Sequence, residues 1–240
     1  MDRYFKNNRR NSQEKEVRVS EVFLSFQGEG VNTGHPRVFV RLATGCPLMC
    51  SFCDSTYARS LSRPLSEEDI QLIKSHPWIV FTGNEPLFSN GPEWMMTIID
   101  MIQPDCNSYI EVETNGTVVP SLIRSLLKHV SWWTISPKDP ATQRRKVDTT
   151  PHLLEWFRKH YHHSNYVVKF VYNDEQSGVF ILKTVERYGI DPGRVWIMPR
   201  GETRAVYHKH LVPAWKFALS HGFNLSPRLH IDTFDKKRGV

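Results

Sequence analysis

Cysteine is scarce in this 240-residue chain, and unevenly placed. Four are present, and three of them, Cys46, Cys50 and Cys53, fall within eight residues. So sparse and clustered a set is not a secreted disulfide framework; it fits thiols kept reduced and predicts a cytoplasmic protein. The fourth, Cys106, is expected to be an ordinary thiol. No run of about 18 apolar residues occurs, so no membrane-spanning helix is expected. The opening stretch MDRYFKNNRRNSQEKEVRVS lacks the apolar core of a secretory signal. Residues 1–18 are read instead as a flexible basic tail carrying Arg3, Lys6, Arg9 and Arg10, with residues 19–240 as a single domain. No repeat of fixed period and no nucleic-acid recognition motif is present. The net charge of +6, from 31 basic and 25 acidic residues, therefore reads as a solvated surface or an attraction for small anions.

What the chain does have is a hydrophobic fraction of 40%, 12% aromatic residues, and the stretch Gly45-Cys46-Pro47-Leu48-Met49-Cys50-Ser51-Phe52-Cys53-Asp54. Structural zinc takes four ligands, and iron–sulfur clusters usually take four cysteines. Three thiolates with no fourth nearby suggest a 4Fe-4S cluster with one iron left for a non-protein ligand. A zinc site remains the alternative for the bare C-x3-C-x2-C string. His160, His162 and His163 are read as exposed side chains, not as a second metal site.

Around this loop, short apolar runs alternate with amphipathic ones. Strands are predicted over 17–23, 37–42, 78–81, 109–113, 132–135, 166–171 and 195–198. Helices are predicted from Ser66 through Ile73, from Pro92 through Ile102, and through Val118, Leu122, Ile123, Leu126 and Leu127. Others are predicted after Pro151, through Phe180 and Val185 to Gly189, and in a last region kinked or restarted at Pro213. Such alternation implies an α/β fold with a mainly parallel sheet and ligands at the carboxyl ends of its strands. Glycine-bearing polar motifs fall at those ends, with Glu85, Glu113 and Lys138 among them.

Cys46-x3-Cys50-x2-Cys53, with Phe52 before the last cysteine, resembles the signature of radical S-adenosylmethionine (SAM) enzymes. Phe26-Gln27-Gly28-Glu29-Gly30, Phe39-Val40-Arg41-Leu42, Cys53-Asp54-Ser55, Thr82-Gly83-Asn84-Glu85-Pro86, Glu113-Thr114-Asn115-Gly116 and Ser136-Pro137-Lys138 follow in order. The ordered set resembles the 7-carboxy-7-deazaguanine synthase family, from about residue 19 to the C-terminus. The resemblance implies an incomplete, TIM-like (β/α)6 barrel and a homodimer. It implies conversion of 6-carboxy-5,6,7,8-tetrahydropterin to 7-carboxy-7-deazaguanine with loss of ammonia, and a flavodoxin or ferredoxin as electron donor. The implied cofactors are a 4Fe-4S cluster, S-adenosyl-L-methionine and Mg²⁺.

The same resemblance distributes roles over this chain. Cys46, Cys50 and Cys53 would ligate the cluster and Ser55 would ligate Mg²⁺, a hard cation that accepts a hydroxyl oxygen. Phe52, Asn84, Glu85, Glu113, Ser136, Pro137, Lys138 and Pro199 would contact S-adenosylmethionine, with Glu85 accepting from its ammonium. Phe26, Gln27, Gly28, Glu29, Arg41, Thr82 and His230 would contact the pterin, Arg41 through a bidentate pair to the substrate carboxylate. Asp54 is read as support for the loop. The chain departs from the family pattern at Asn84, where glycine is usual, and at Met198, where glutamine is usual. It also departs at Thr44, an extra residue ahead of Cys46, and at Ser55, where threonine is commoner. Two other functions stay open: an activase placing a glycyl radical on a partner protein, and an inactive family member acting as a binding protein.

Overall fold

Runs of β-branched and aromatic residues form nine strands among the described residues, joined in one sheet. In this computed structural model, the described residues are 16–102, 108–160, 165–237 and 239. Arg3, Lys6, Arg9, Arg10, Cys106, His162 and His163 lie outside them. The strands are β1 (Arg18–Phe26), β2 (Pro36–Leu42), β3 (Arg63–Pro64), β4 (Trp78–Gly83) and β5 (Tyr109–Thr114). They continue with β6 (Val130–Ile135), β7 (Tyr166–Tyr172), β8 (Val195–Pro199) and β9 (Asn224–Leu225). Their order is β3-β1-β2-β4-β5-β6-β7-β8-β9. β1 is antiparallel to β2 and β3, whereas every pairing from β2 to β9 is parallel. The full parallel strands β2, β4, β5, β6, β7 and β8 are the six of an open (β/α)6 barrel.

Helices fill the crossovers: α1 (Glu67–Lys74), α2 (Gly91–Ile102), α3 (Ile123–Leu126), α4 (His152–His160), α5 (Glu175–Tyr188), α6 (Arg204–Ser220) and α7 (Leu229–Phe234). α1 starts in the expected capping box of Ser66 and Asp69. α5 starts at a second capping box, on Asp174, and ends at Gly189, whose φ of +59° suits glycine. The helix expected across Val118–Leu127 is reduced to the single turn of α3. Pro120 explains this, because it lacks a donor and biases Val119 away from helical backbone. α6 runs through Pro213 without the restart expected there. The fold also reaches two residues into the stretch read as a tail: Arg18 begins β1, and Val17 is buried. His160, at the end of α4, is exposed as expected.

Alternation divides each parallel strand between two environments. One face packs on the helices: Val40, Ile79, Phe81, Val112, Ile135 and Ile197 are fully buried there. Each such side chain stabilises by about 1.5–3 kcal/mol relative to exposure. The other face lines the barrel interior and carries Arg37, Arg41, Thr82, Glu111, Glu113, Thr134 and Lys169. Polar side chains on that face are what a purely structural sheet would lack.

Candidate active site

The strands deliver Arg41, Thr82, Glu113, Thr134 and Lys169 to one cleft of about 500 Å³ at their carboxyl ends. Gly83, at the end of β4, makes the turn into it possible. Its φ is +130°, and an added Cβ would lie 2.8 Å from the Leu42 backbone. The cysteine loop leaves β2 and closes one side. Cys46, Cys50 and Cys53 are free thiols and all three line the cleft, with Phe52 and Ser55. Burial pushes the Cys46 thiol up to about 11. The Ser55 hydroxyl lies 3.6 Å from Cys53 Sγ.

Opposite the loop, Glu85 is 1% exposed. Three protein donors order its carboxylate. Oε1 accepts from Thr114 Oγ1 at 2.6 Å and Leu87 N at 3.1 Å, and Oε2 accepts from Asn115 N at 2.7 Å. Burial raises its pKa, although these three donors oppose the rise. The Thr44 hydroxyl donates to the Glu85 carbonyl at 2.7 Å, so the extra residue ahead of the cysteines braces the β4 end. Arg41 remains at the cleft wall, with Nε 3.1 Å from Glu21 Oε2. Asn84 also lines the cleft, and its buried Oδ1 has no hydrogen-bond partner among the described residues. Ser136 Oγ accepts from Lys138 Nζ at 2.6 Å, and both residues line the cleft. Pro137 and Pro199 do not line it; both are buried beside residues that do. Met198 faces the cleft as a buried thioether.

The residues expected at the pterin form a second group, built around Glu29. Phe26, 60% exposed, lies at the rim. Gln27 is buried, donates through Nε2 to Glu113 Oε1 at 3.0 Å and accepts from Glu29 N at 3.2 Å. Thr82 Oγ1 donates to Glu113 Oε2 at 3.0 Å. Glu113, expected at the cofactor, thus meets the substrate-side residues Gln27 and Thr82. The reason is register: Thr82 and Glu113 are the residues that follow the paired Phe81 and Val112 of β4 and β5, and their side chains meet. Gly28 admits the His230 ring, whose Nδ1 would lie 2.2 Å from a Cβ. His230 Nε2 is 3.8 Å from Glu29 Oε1, and burial lowers its pKa.

Lys169 and Arg228 belong to this group and are missed by sequence motifs. Lys169 Nζ is 2.6 Å from Glu29 Oε2 and 3.9 Å from Glu113 Oε1. Arg228 donates through Nε to Glu29 Oε1 at 2.9 Å, and also to Asp54 and to the Gly201 carbonyl. Burial opposes the charge on Glu29, but Lys169 and Arg228 outweigh it and hold its carboxyl well below the usual range. Desolvation opposes ionisation of the half-exposed Asp54 too, and Arg228 again outweighs it. Asp54 therefore ties the cysteine loop to the substrate side, the supporting role expected of it. A lysine within the apolar run of β7 was the one signal for Lys169. Arg228 carried none.

The sequence profile of the radical SAM superfamily matches residues 40–176, more than half of the chain. The 7-carboxy-7-deazaguanine synthase of Pyrobaculum aerophilum is 32% identical over 237 residues, covering 93% of this chain and 97% of the relative. The crystal structure of QueE from Escherichia coli superposes with a TM-score of 0.61 at 18% identity, covering 90% of this chain and 95% of that one. Native anSMEcpe with bound AdoMet and a peptide superposes with a TM-score of 0.58 at 15% identity, over 79% of this chain and 63% of that one. At those identities the two structures speak for the fold. The profile and the relative together place the chain in the radical SAM superfamily and, within it, in the 7-carboxy-7-deazaguanine synthase family.

Proposed function

We propose that this chain converts 6-carboxy-5,6,7,8-tetrahydropterin to 7-carboxy-7-deazaguanine with release of ammonia, using a 4Fe-4S cluster and S-adenosylmethionine. The observation that carries the reading is that three free thiols and the Gln27–Glu29–Arg41–Thr82 group line the same cleft. A three-thiol donor set suits three irons of a cluster and leaves the fourth to a small molecule. The unpartnered Oδ1 of Asn84 is an acceptor in the same cleft, suited to the cofactor's ammonium. Bound there, the cluster and cofactor would supply the electron and the radical chemistry for hydrogen abstraction.

The chain's own residues bind and orient. Cys46, Cys50 and Cys53 are assigned to the cluster, and Phe52, Asn84, Ser136 and Lys138 to S-adenosylmethionine. Glu85, which also braces the β4 and β5 ends, is assigned to the ammonium of S-adenosylmethionine. Kept ionised by Lys169 and Arg228, Glu29 is an acceptor for the donors of an aminopyrimidinone edge. Gln27, with its amide orientation fixed by Glu113 and the Glu29 N–H, presents the same edge. Arg41 is assigned to the substrate carboxylate, Ser55 to a Mg²⁺ shared with it, and His230 to the pterin. Phe26, Gly28, Thr82 and Glu113 complete the substrate wall. Reduction by a flavodoxin or ferredoxin, a homodimeric state and a cytoplasmic location complete the proposal. No helix among the described residues is long and apolar enough to cross a membrane.

The departures at Asn84 and Met198 are what favour the second reading, a family member that binds ligands without turnover. The test is anaerobic reconstitution with iron and sulfide, followed by S-adenosylmethionine, Mg²⁺, a reductant and the carboxypterin. Formation of 7-carboxy-7-deazaguanine and ammonia, abolished in Cys50→Ala, is expected. A loaded cluster without cofactor cleavage would establish the binding protein, and hydrogen abstraction from a protein backbone would establish the activase.

A further inference from the structure

The segment after β6 turns back to the cysteine loop. Asp139 caps a short 3-10 turn over Pro140–Thr142, its Oδ1 accepting from Ala141 N at 2.8 Å. That turn sets Gln143 opposite Cys50 as an antiparallel bridge. On either side, Ser51 N donates to Thr142 O at 2.9 Å and Arg144 N donates to Met49 O at 2.9 Å. The Gln143 side chain is used at both ends. Oε1 accepts from Met49 N at 2.9 Å, and Nε2 faces Cys50 Sγ at 3.3 Å. Only a carbonyl oxygen can accept the Met49 N–H, so the amide NH2 is the end left for the sulfur. The side-chain polar contacts at the other two sulfurs are longer: Asn115 Nδ2 to Cys46 Sγ at 3.7 Å, and the Ser55 hydroxyl to Cys53 Sγ at 3.6 Å.

The geometry points to Gln143 as a positioning residue that sets the reduction potential of the iron–sulfur cluster through its hydrogen bond to Cys50 Sγ. The inference rests on the reading of Cys46, Cys50 and Cys53 as cluster ligands. Reducing a thiolate-bound cluster adds negative charge that is shared with the cysteine sulfurs. A donor aimed at a sulfur stabilises the reduced form more than the oxidised form and so raises the potential. Two features strengthen the effect here. The bridge holds the amide in place before any electron arrives, and Cys50 is 9% exposed, where a dipole is weakly screened.

The test is a redox titration of the reconstituted protein, followed by electron paramagnetic resonance, for wild type, Gln143→Leu and Gln143→Glu at equal iron content. Glutamate keeps an oxygen for the Met49 N–H but, ionised, cannot donate to sulfur; leucine removes both contacts and adds no charge. Both variants are expected to have a more negative midpoint than wild type, with glutamate shifted further because a charge joins the lost donor. Asn115→Leu is expected to shift it less. An unchanged midpoint in Gln143→Leu overturns the proposal, whether or not glutamate shifts, since a shift from glutamate alone is an effect of charge. If leucine prevents loading, Gln143→Asn replaces it, because its shorter side chain withdraws the donor; an unchanged midpoint there is equally fatal. The underlying ligand reading fails separately, if Cys50→Ala assembles the same cluster as wild type.

Discussion

At the mouth of the barrel, buried charges meet their partners directly: Glu29 contacts Lys169 at 2.6 Å and Arg228 at 2.9 Å. At the base, among the first residues of the same strands, Arg37 is fully buried and none of its three guanidinium nitrogens has a hydrogen-bond partner among the described residues. It is held instead by the faces of Trp78, at 4.4 Å, and Tyr109, at 5.4 Å, and by Glu111 at 3.9 Å. Glu111 is itself occupied by Thr134 at 2.7 Å and Asn32 at 3.0 Å. The two regions lie at opposite ends of the barrel interior and treat charge differently. Direct pairing fixes carboxylate oxygens where a ligand can meet them, whereas ring faces and a distant carboxylate only offset part of the cost of burial. The mouth is organised for recognition, and the base is a seal.

The comparison breaks hardest at Lys169. Lys169→Met leaves Glu29 buried with one partner fewer and removes the cation beside Glu113. Stability is expected to fall by about 3 kcal/mol, as measured by denaturant unfolding. Product formation is expected to fall roughly 100-fold, equivalent to about 2.7 kcal/mol of transition-state stabilisation. Activity within threefold of wild type would mean that the mouth network is only structural.

A second test uses acid, because the two regions have opposite slopes. The Glu29 pKa is lowered, so its contribution is present above the ordinary value of 4.5 and is lost as pH falls through the folded value. The Glu111 pKa is raised, first by burial and then by Glu113, so its contribution is present below 4.5 and is lost as pH rises through the folded value. The stability deficit of Glu29→Gln should therefore be largest near neutral pH and shrink in acid. Glu111→Gln should gain on wild type as pH rises. Parallel slopes in the two variants would erase the distinction.

The smallest effect is expected at the base. Arg37→Met combined with Glu111→Gln exchanges a poorly paired buried couple for uncharged side chains of similar size. Stability within about 1 kcal/mol of wild type, or above it, is expected on thermal unfolding, with turnover within twofold. A large loss of turnover would give the base a role in the reaction.

Much of the fold and of the candidate site was legible because its signals are local. The capping box at Ser66, the glycine stop at Gly189 and the alternation of β2, β5 and β7 each span a few residues, and each reappears in space. Pro120 was equally local, and weighing it would have shortened the helix expected over Val118–Leu127. Glu113 is a different case: its place on β5 was readable, but its neighbour was not.

The sequence alone determined the cysteine spacing, the order of the strand-end motifs and hence the barrel and its family, since each depends on residue type and short-range period. Only the tertiary structure decided which interior side chains meet. Arg228 reaches Glu29 across 199 residues of chain, Lys169 reaches it across 140, and Gln143 reaches Cys50 across 93. Periodicity tells which face a side chain takes; strand order, register and the loops between strands choose the partner it finds there.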